Sequence, residues 1–285
     1  MKILTLFLTK DKTTFIWENY KRVRNQKGVI QDIYVISAKP IGIENNIVVR
    51  VPQHFPVPIR IGLSIRYALK IIDVTNYTHI FKVDGDIKLP LDYLINLLEK
   101  NTLVAGIGAA LLISTKFFLT KMLGKYPLSY CDDTYILSLG ASVLGKYPPG
   151  YDGIGIIKTF PNPISKQIEF YYGIEYYKMG LSYKILLLRH LLFTLSNPFE
   201  GLKSIVYCSA GYISAIINRE ERYAWYKIFS KVATQAYSWK RYLAIRKKML
   251  AHYKNLISRR FHPDIFKVKS NFSNFKIFKT DDKTS

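Results

Sequence analysis

Apolar residues in the first hundred positions follow two alternating rhythms. Ile3 to Leu8 is a short apolar run of the kind that forms an inner strand of a parallel sheet. Thr13 to Asn25 then places Phe15, Trp17, Tyr20 and Val23 at helical spacing. Asp32 to Ser37 and Ile47 to Val51 read as the second and third strands. Pro52, Pro56 and Pro58 keep the next stretch out of a helix. Arg60 to Asp73 follows as an amphipathic helix with Ile61, Ile65, Leu69 and Ile72 on one face. His79 to Val83 predicts a fourth strand, Leu91 to Lys100 a helix, and Leu103 to Ile113 a fifth strand. Strands that alternate with helices predict a parallel α/β sheet covered by helices on both faces. Ligands of such sheets bind beyond the carboxyl ends of the strands.

From about residue 150 the rhythm changes, and helical periods rich in Tyr and Lys replace strands. Among the 285 residues, 42 Lys and Arg face 20 Asp and Glu, a net charge of +22. From Arg219 onward there are 17 Lys and Arg and 5 Asp and Glu, so net +12 falls on the last 67 residues. Aromatics interleave with that charge: Tyr223, Trp225, Tyr226, Phe229, Tyr237, Trp239, Tyr242 and Tyr253. Such a surface favours anionic partners, whether phosphorylated substrates, acidic headgroups or nucleic acid. The reading is an N-terminal catalytic unit over residues 1–200 and a basic, aromatic-rich helical region with a tail over 201–285.

Cys131 and Cys208 are too few for a disulfide framework, and no zinc-type Cys spacing occurs. The apolar run Ile3 to Leu8 is too short for a secretory leader, and it is followed by the charged Lys10-Asp11-Lys12 with no small-residue cleavage site. No run reaches the roughly 18 apolar residues of a membrane span. The expected location is cytoplasmic, with the cytoplasmic membrane face as a peripheral docking surface. Phe170 to Leu195, with Tyr171, Tyr172, Tyr176 and Tyr177 followed by Lys184 and Arg189, has the mixed composition of an interfacial helix.

Two acidic constellations carry chemistry. An apolar strand runs into Asp84-Gly85-Asp86, and two carboxylates one residue apart at a strand end suit a hard divalent cation. Asp132 and Asp133 open a helix-like stretch, where they serve either as anions favoured by the helix dipole or as a general base.

The order of strands, Asp-x-Asp, a glycine-bearing strand with Gly106 and Gly108, and then Asp132-Asp133-Thr134 resembles the family-2 glycosyltransferases with the GT-A fold. The resemblance covers about residues 1–145 and fades toward 195. It implies a Rossmann-like, mostly parallel central sheet flanked by helices. It places Asp84 and Asp86 on a Mn2+ or Mg2+ ion and the diphosphate of a nucleotide sugar. It places Asp133 as the base, with Asp132 as the alternative, and it assigns Thr9, Asp11, Arg66 and Gly108 to the donor. His190 becomes a further metal ligand by analogy with other members of the fold. The implied reaction is inverting transfer of one sugar to a hydroxyl acceptor, either lipid-linked or on protein or glycan. The sequence departs from the family in two places. Val35 to Pro40 lacks an acidic turn, and the Q-x-x-R-W motif of processive members is absent. The rival readings are a nucleic-acid-binding protein, a metal-dependent nuclease using the same aspartates, or a catalytically silent binding module.

Overall fold

The computed structural model describes residues 1–151, 157–158, 165–196 and 198–236. Tyr237, Trp239, Tyr242, Tyr253 and most of the basic tail lie outside the described residues. The described chain is a mixed α/β fold whose central six-stranded sheet has the order β3-β2-β1-β4-β7-β6. β1 (Lys2–Leu8), β2 (Ile30–Ser37), β3 (Asn46–Val48) and β4 (His79–Asp84) run parallel. β7 (Ala110–Ser114) is antiparallel to β4, and β6 (Val104–Ile107) is antiparallel to β7. This is the mostly parallel sheet flanked by helices that the sequence leads one to expect, consistent with a GT-A-like arrangement. A separate antiparallel pair joins β5 (Ile87–Lys88) to β8 (Ile157–Lys158).

The alternation of β1 builds both faces of the sheet. Ile3 and Phe7 point to one face, where Val23 of α1 (Trp17–Arg24) and Tyr93, Leu94 and Leu97 of α3 (Tyr93–Glu99) cover them. Leu4, Leu6 and Leu8 point to the other, under Ile65 and Ala68 of α2 (Val57–Ile71), Phe117 of α4 (Thr115–Thr120) and Ile136 of α5 (Asp132–Leu144). Period two in the strand and 3.6 in the helices make these two layers from one sequence. Thr5, fully buried, is the polar exception, and its hydroxyl donates to Gln31 at 2.7 Å.

Two expectations are corrected. Leu103 to Ile113 is a two-stranded hairpin rather than one strand, because Gly108-Ala109 turns the chain back between Ile107 and Ala110. Gly106 there adopts φ +110°, and a Cβ on it would land 2.4 Å from the Ala110 carbonyl. The second helix also begins earlier, at Val57, with Pro58 inside its first turn. Proline fits there because the first amides of a helix have no intrahelical acceptor.

Four further helices form a third layer: α6 (Lys166–Met179), α7 (Tyr183–Ser196), α8 (Pro198–Ile217) and α9 (Tyr226–Ala236). Their shared core includes Tyr176, Leu186, Cys208, Tyr212 and Phe229 together with Cys131 and Ala141. The helical layer thus packs against the start and middle of α5. Position 200 lies inside α8.

Candidate active site

Asp84 ends β4 beside Leu8, the last residue of β1. Gly85 then turns the chain so tightly that its amide donates to the Leu8 carbonyl at 2.7 Å. A Cβ on Gly85 would lie 2.6 Å from that oxygen and 3.0 Å from the Phe7 ring, so the turn requires glycine. The buried Asn19 donates to the Gly85 carbonyl at 2.9 Å and holds the turn from the other side. Asp84 and Asp86 therefore sit on a rigid strand end.

Lys82, two residues earlier on β4, is 4% exposed. Its Nζ lies 2.8 Å from Asp84 Oδ1 and donates to the Gly108 carbonyl at 3.2 Å. Burial works against its charge, but the carboxylates of Asp84, Asp132 and Asp133 outweigh that and hold its pKa above the ordinary lysine value. Lys82 is thus a fixed internal cation. Sequence reasoning missed it, although a lone lysine inside the apolar strand His79–Asp84 was the available signal.

Asp132 and Asp133 occupy the first turn of α5, where the helix dipole favours anions. Neither is the cap, since the residue before the helix is Cys131. The Tyr126 hydroxyl donates to Asp132 Oδ2 at 2.5 Å. Burial pushes the Asp132 carboxyl above its ordinary range, and Asp133 adds to this while Lys82 opposes it. Burial and the neighbouring carboxylates keep Tyr126 protonated as a donor. Asp133 Oδ1 accepts from the Thr134 amide and hydroxyl at 2.5 and 3.3 Å. Its Oδ2 lies against the hairpin turn, where a Cβ on Gly108 would fall 1.7 Å away. Gly108 is there because Asp133 takes the space that a side chain would need.

The remaining expected residues fall in different places. Thr9 continues β1, its amide donating to Ile36 at 3.0 Å, so it stands at the carboxyl edge of the sheet with Asp84. Asp11 organises its own turn through Thr13 and Thr14, and the Thr13 hydroxyl lowers its pKa most. Arg66 on α2 donates from Nε to the Tyr126 carbonyl at 2.5 Å, tying down the loop that carries the partner of Asp132. His190 sits in the helical layer, beside Ser204, Tyr176, Glu169 and Cys208. A concavity of about 540 Å³ lies elsewhere, lined by Trp17, Tyr20, Gln31, Asp32 and Glu44 beside α1 and β2. Its one β2 acid, Asp32, is paired with Lys2 at 2.6 Å and takes the Tyr77 hydroxyl at 2.7 Å.

The donors at the sheet edge suit a hard divalent cation. Three carboxylates act on one ammonium, which leaves uncompensated negative charge, and all the acidic donors are oxygens. Lys82 engages one oxygen of Asp84, and the same carboxylate has a second.

No protein-family model and no curated protein matches the chain. Among solved structures, the crystal structure of S. aureus TarS 1-349 in complex with UDP is similar over 84% of this chain and 93% of that one. The identity is 11% and the TM-score 0.43. No helix among the described residues is long and apolar enough to cross a membrane.

Proposed function

We propose that the chain is an inverting glycosyltransferase that moves one sugar from a nucleotide-diphosphate donor to a hydroxyl acceptor. The observation that carries this reading is the meeting of Asp84, at the end of β4, with Asp132 and Asp133, at the start of α5, around Lys82 and Gly108. Asp84 and Asp86 would hold Mn2+ or Mg2+, which when bound neutralises the charge that gathers on a diphosphate leaving group. Thr9 lines the same sheet edge, where the donor would lie. Asp133 accepts the proton of the acceptor hydroxyl as its oxygen bonds to the anomeric carbon and the diphosphate departs from the opposite face. Displacement in one step inverts the configuration. Each acid spends one oxygen, Asp132 on Tyr126 and Asp133 on Thr134, and both act on Lys82, so the choice of Asp133 as base rests on its place in the Asp132-Asp133-Thr134 motif. Arg66 acts through Tyr126 as a positioning residue rather than on the nucleotide directly. The acceptor class follows from the basic surface: an anionic or lipid-linked hydroxyl compound at the cytoplasmic membrane face.

Calorimetric titration with UDP and GDP, with and without Mn2+, tests the donor site. The expected result is binding of one nucleotide at micromolar strength that requires the metal and is lost in Asp86→Ala. Binding that is unchanged in Asp86→Ala with Mn2+ present overturns the assignment. Binding of single-stranded nucleic acid with a steep salt dependence, in place of nucleotide, favours the nucleic-acid reading.

A further inference from the structure

The helical layer assembles a second set of donors outside the aspartate site. Glu169 comes from α6, His190 from α7 and Cys208 from α8. One carboxylate oxygen, one imidazole nitrogen and the thiol lie within 4.8 Å of one another. The three residues are 9%, 7% and 0% exposed. Such groups are costly to bury together without a purpose for them.

The hydrogen bonds around them set the chemistry of the imidazole. The Ser204 hydroxyl donates to Glu169 Oε2 at 2.5 Å, so its oxygen is left to accept. His190 Nδ1 lies 3.0 Å from that oxygen, and the tautomer protonated at Nδ1 donates to it. In that tautomer Nε2 carries a lone pair, and it is buried without a hydrogen-bond partner among the described residues. One ring nitrogen thus has a fixed partner and the other is left over, the division of roles that a ligating histidine shows.

Backbone packing fixes the distances. Gly173 of α6 lies against the Cys208 carbonyl, and a Cβ there would come within 1.9 Å of it. Gly211 of α8 meets the Phe170 carbonyl in the same way, at 1.8 Å. The two helices touch main chain to main chain at Gly173 with Cys208 and at Phe170 with Gly211, beside the cluster, so Glu169 and Cys208 have little freedom to separate.

We propose that Glu169, His190 and Cys208 bind a zinc ion that staples α6, α7 and α8 together. A thiolate with an imidazole selects Zn2+ over Mg2+ or Mn2+, and a carboxylate completes three protein ligands with one position left open. Ser204 is the positioning residue, holding both His190 and Glu169. The site is independent of the nucleotide-sugar reading, because Asp84 and Asp86 offer only oxygen.

The test is a titration of the full chain, stripped of metal by chelator, with Co2+ and then Zn2+. The expected result is one equivalent of Co2+ giving thiolate-to-cobalt charge transfer and tetrahedral visible bands, which Zn2+ bleaches. Cys208→Ser abolishes the charge transfer and Cys131→Ser keeps it. Ser204→Ala weakens the metal by about 10–100-fold. Zinc also raises the melting temperature of the unmutated protein, a readout that depends on no variant folding. Co2+ bound by the folded, unmutated chain without charge transfer overturns the proposal, as does charge transfer that survives in Cys208→Ser.

Discussion

At the carboxyl edge of the sheet, the carboxylates of Asp84, Asp132 and Asp133 act on the buried ammonium of Lys82. Between α6, α7 and α8, a carboxylate, an imidazole and a thiol come together with a serine hydroxyl bridging two of them. The first cluster is charged, built of hard oxygens and placed where β1, β2 and β4 end. The second mixes oxygen, nitrogen and sulfur and is enclosed by helices whose main chains touch. Excess negative charge at a strand end prepares a site for a hard cation and a phosphate, whereas softer donors in a tight helical core prepare one for a structural metal. The contrast separates what the sheet edge is arranged to do from what holds the adjoining layer.

Three substitutions at the sheet edge break or sharpen that contrast. The largest effect belongs to Asp133→Asn, which keeps the hydrogen-bonding shape and removes the base. Transfer falls by about 10²–10⁴-fold while donor affinity holds, measured by sugar transfer and calorimetry on the same preparation. If transfer survives there and disappears in Asp132→Asn, the roles of the two acids are exchanged.

Lys82→Met comes next. It leaves three carboxylates facing one another with no internal cation, at a cost of about 3–5 kcal/mol. Denaturant unfolding should show the loss, and added Mn2+ should return part of it. A deficit that Mn2+ does not change would mean that the sheet-edge carboxylates do not accept a cation in its place.

Asp132→Asn is the smallest effect and has the opposite sign. The folded protein holds the Asp132 carboxyl above its ordinary value of 3.8, so ionised Asp132 costs stability at neutral pH. That cost fades as pH falls through the raised pKa toward 3.8. Asparagine keeps an acceptor for the Tyr126 hydroxyl and carries no charge. The variant should melt about 2–4 °C higher at pH 7, equivalent to roughly 1 kcal/mol, and the difference should shrink as the pH is lowered. A variant that melts lower at pH 7 would show that Asp132 stabilises the fold as an anion.

Much of the sheet was legible in the chain because strands and helices leave different periods. Ile3–Leu8 and His79–Val83 read as strands, and both are. The hairpin was not, since an apolar run from Leu103 to Ile113 has the same composition with or without a turn inside it. Gly106 and Gly108 marked the turn, but their meaning depends on Ala110 and Asp133, which only the fold brings close. Lys82 was passed over because a lysine in a strand ordinarily points to water, and apart from Asp84 its partners lie on the β6–β7 turn and on α5. Arg66 was assigned to the nucleotide, and the fold gives it the Tyr126 carbonyl.

The sequence alone determined the elements with local causes: apolar runs, helical stripes, and the Asp-Gly-Asp turn whose carboxylates are neighbours along the chain. The tertiary structure decided everything that needed separate segments to meet. It placed Asp133 against Gly108, enclosed Lys82 among three acids, and collected Glu169, His190 and Cys208 from three helices. Periodicity arises from the backbone geometry of each element and can be read within a few residues. Convergence of distant side chains depends on how close-packed layers seat against one another, and no local pattern encodes it.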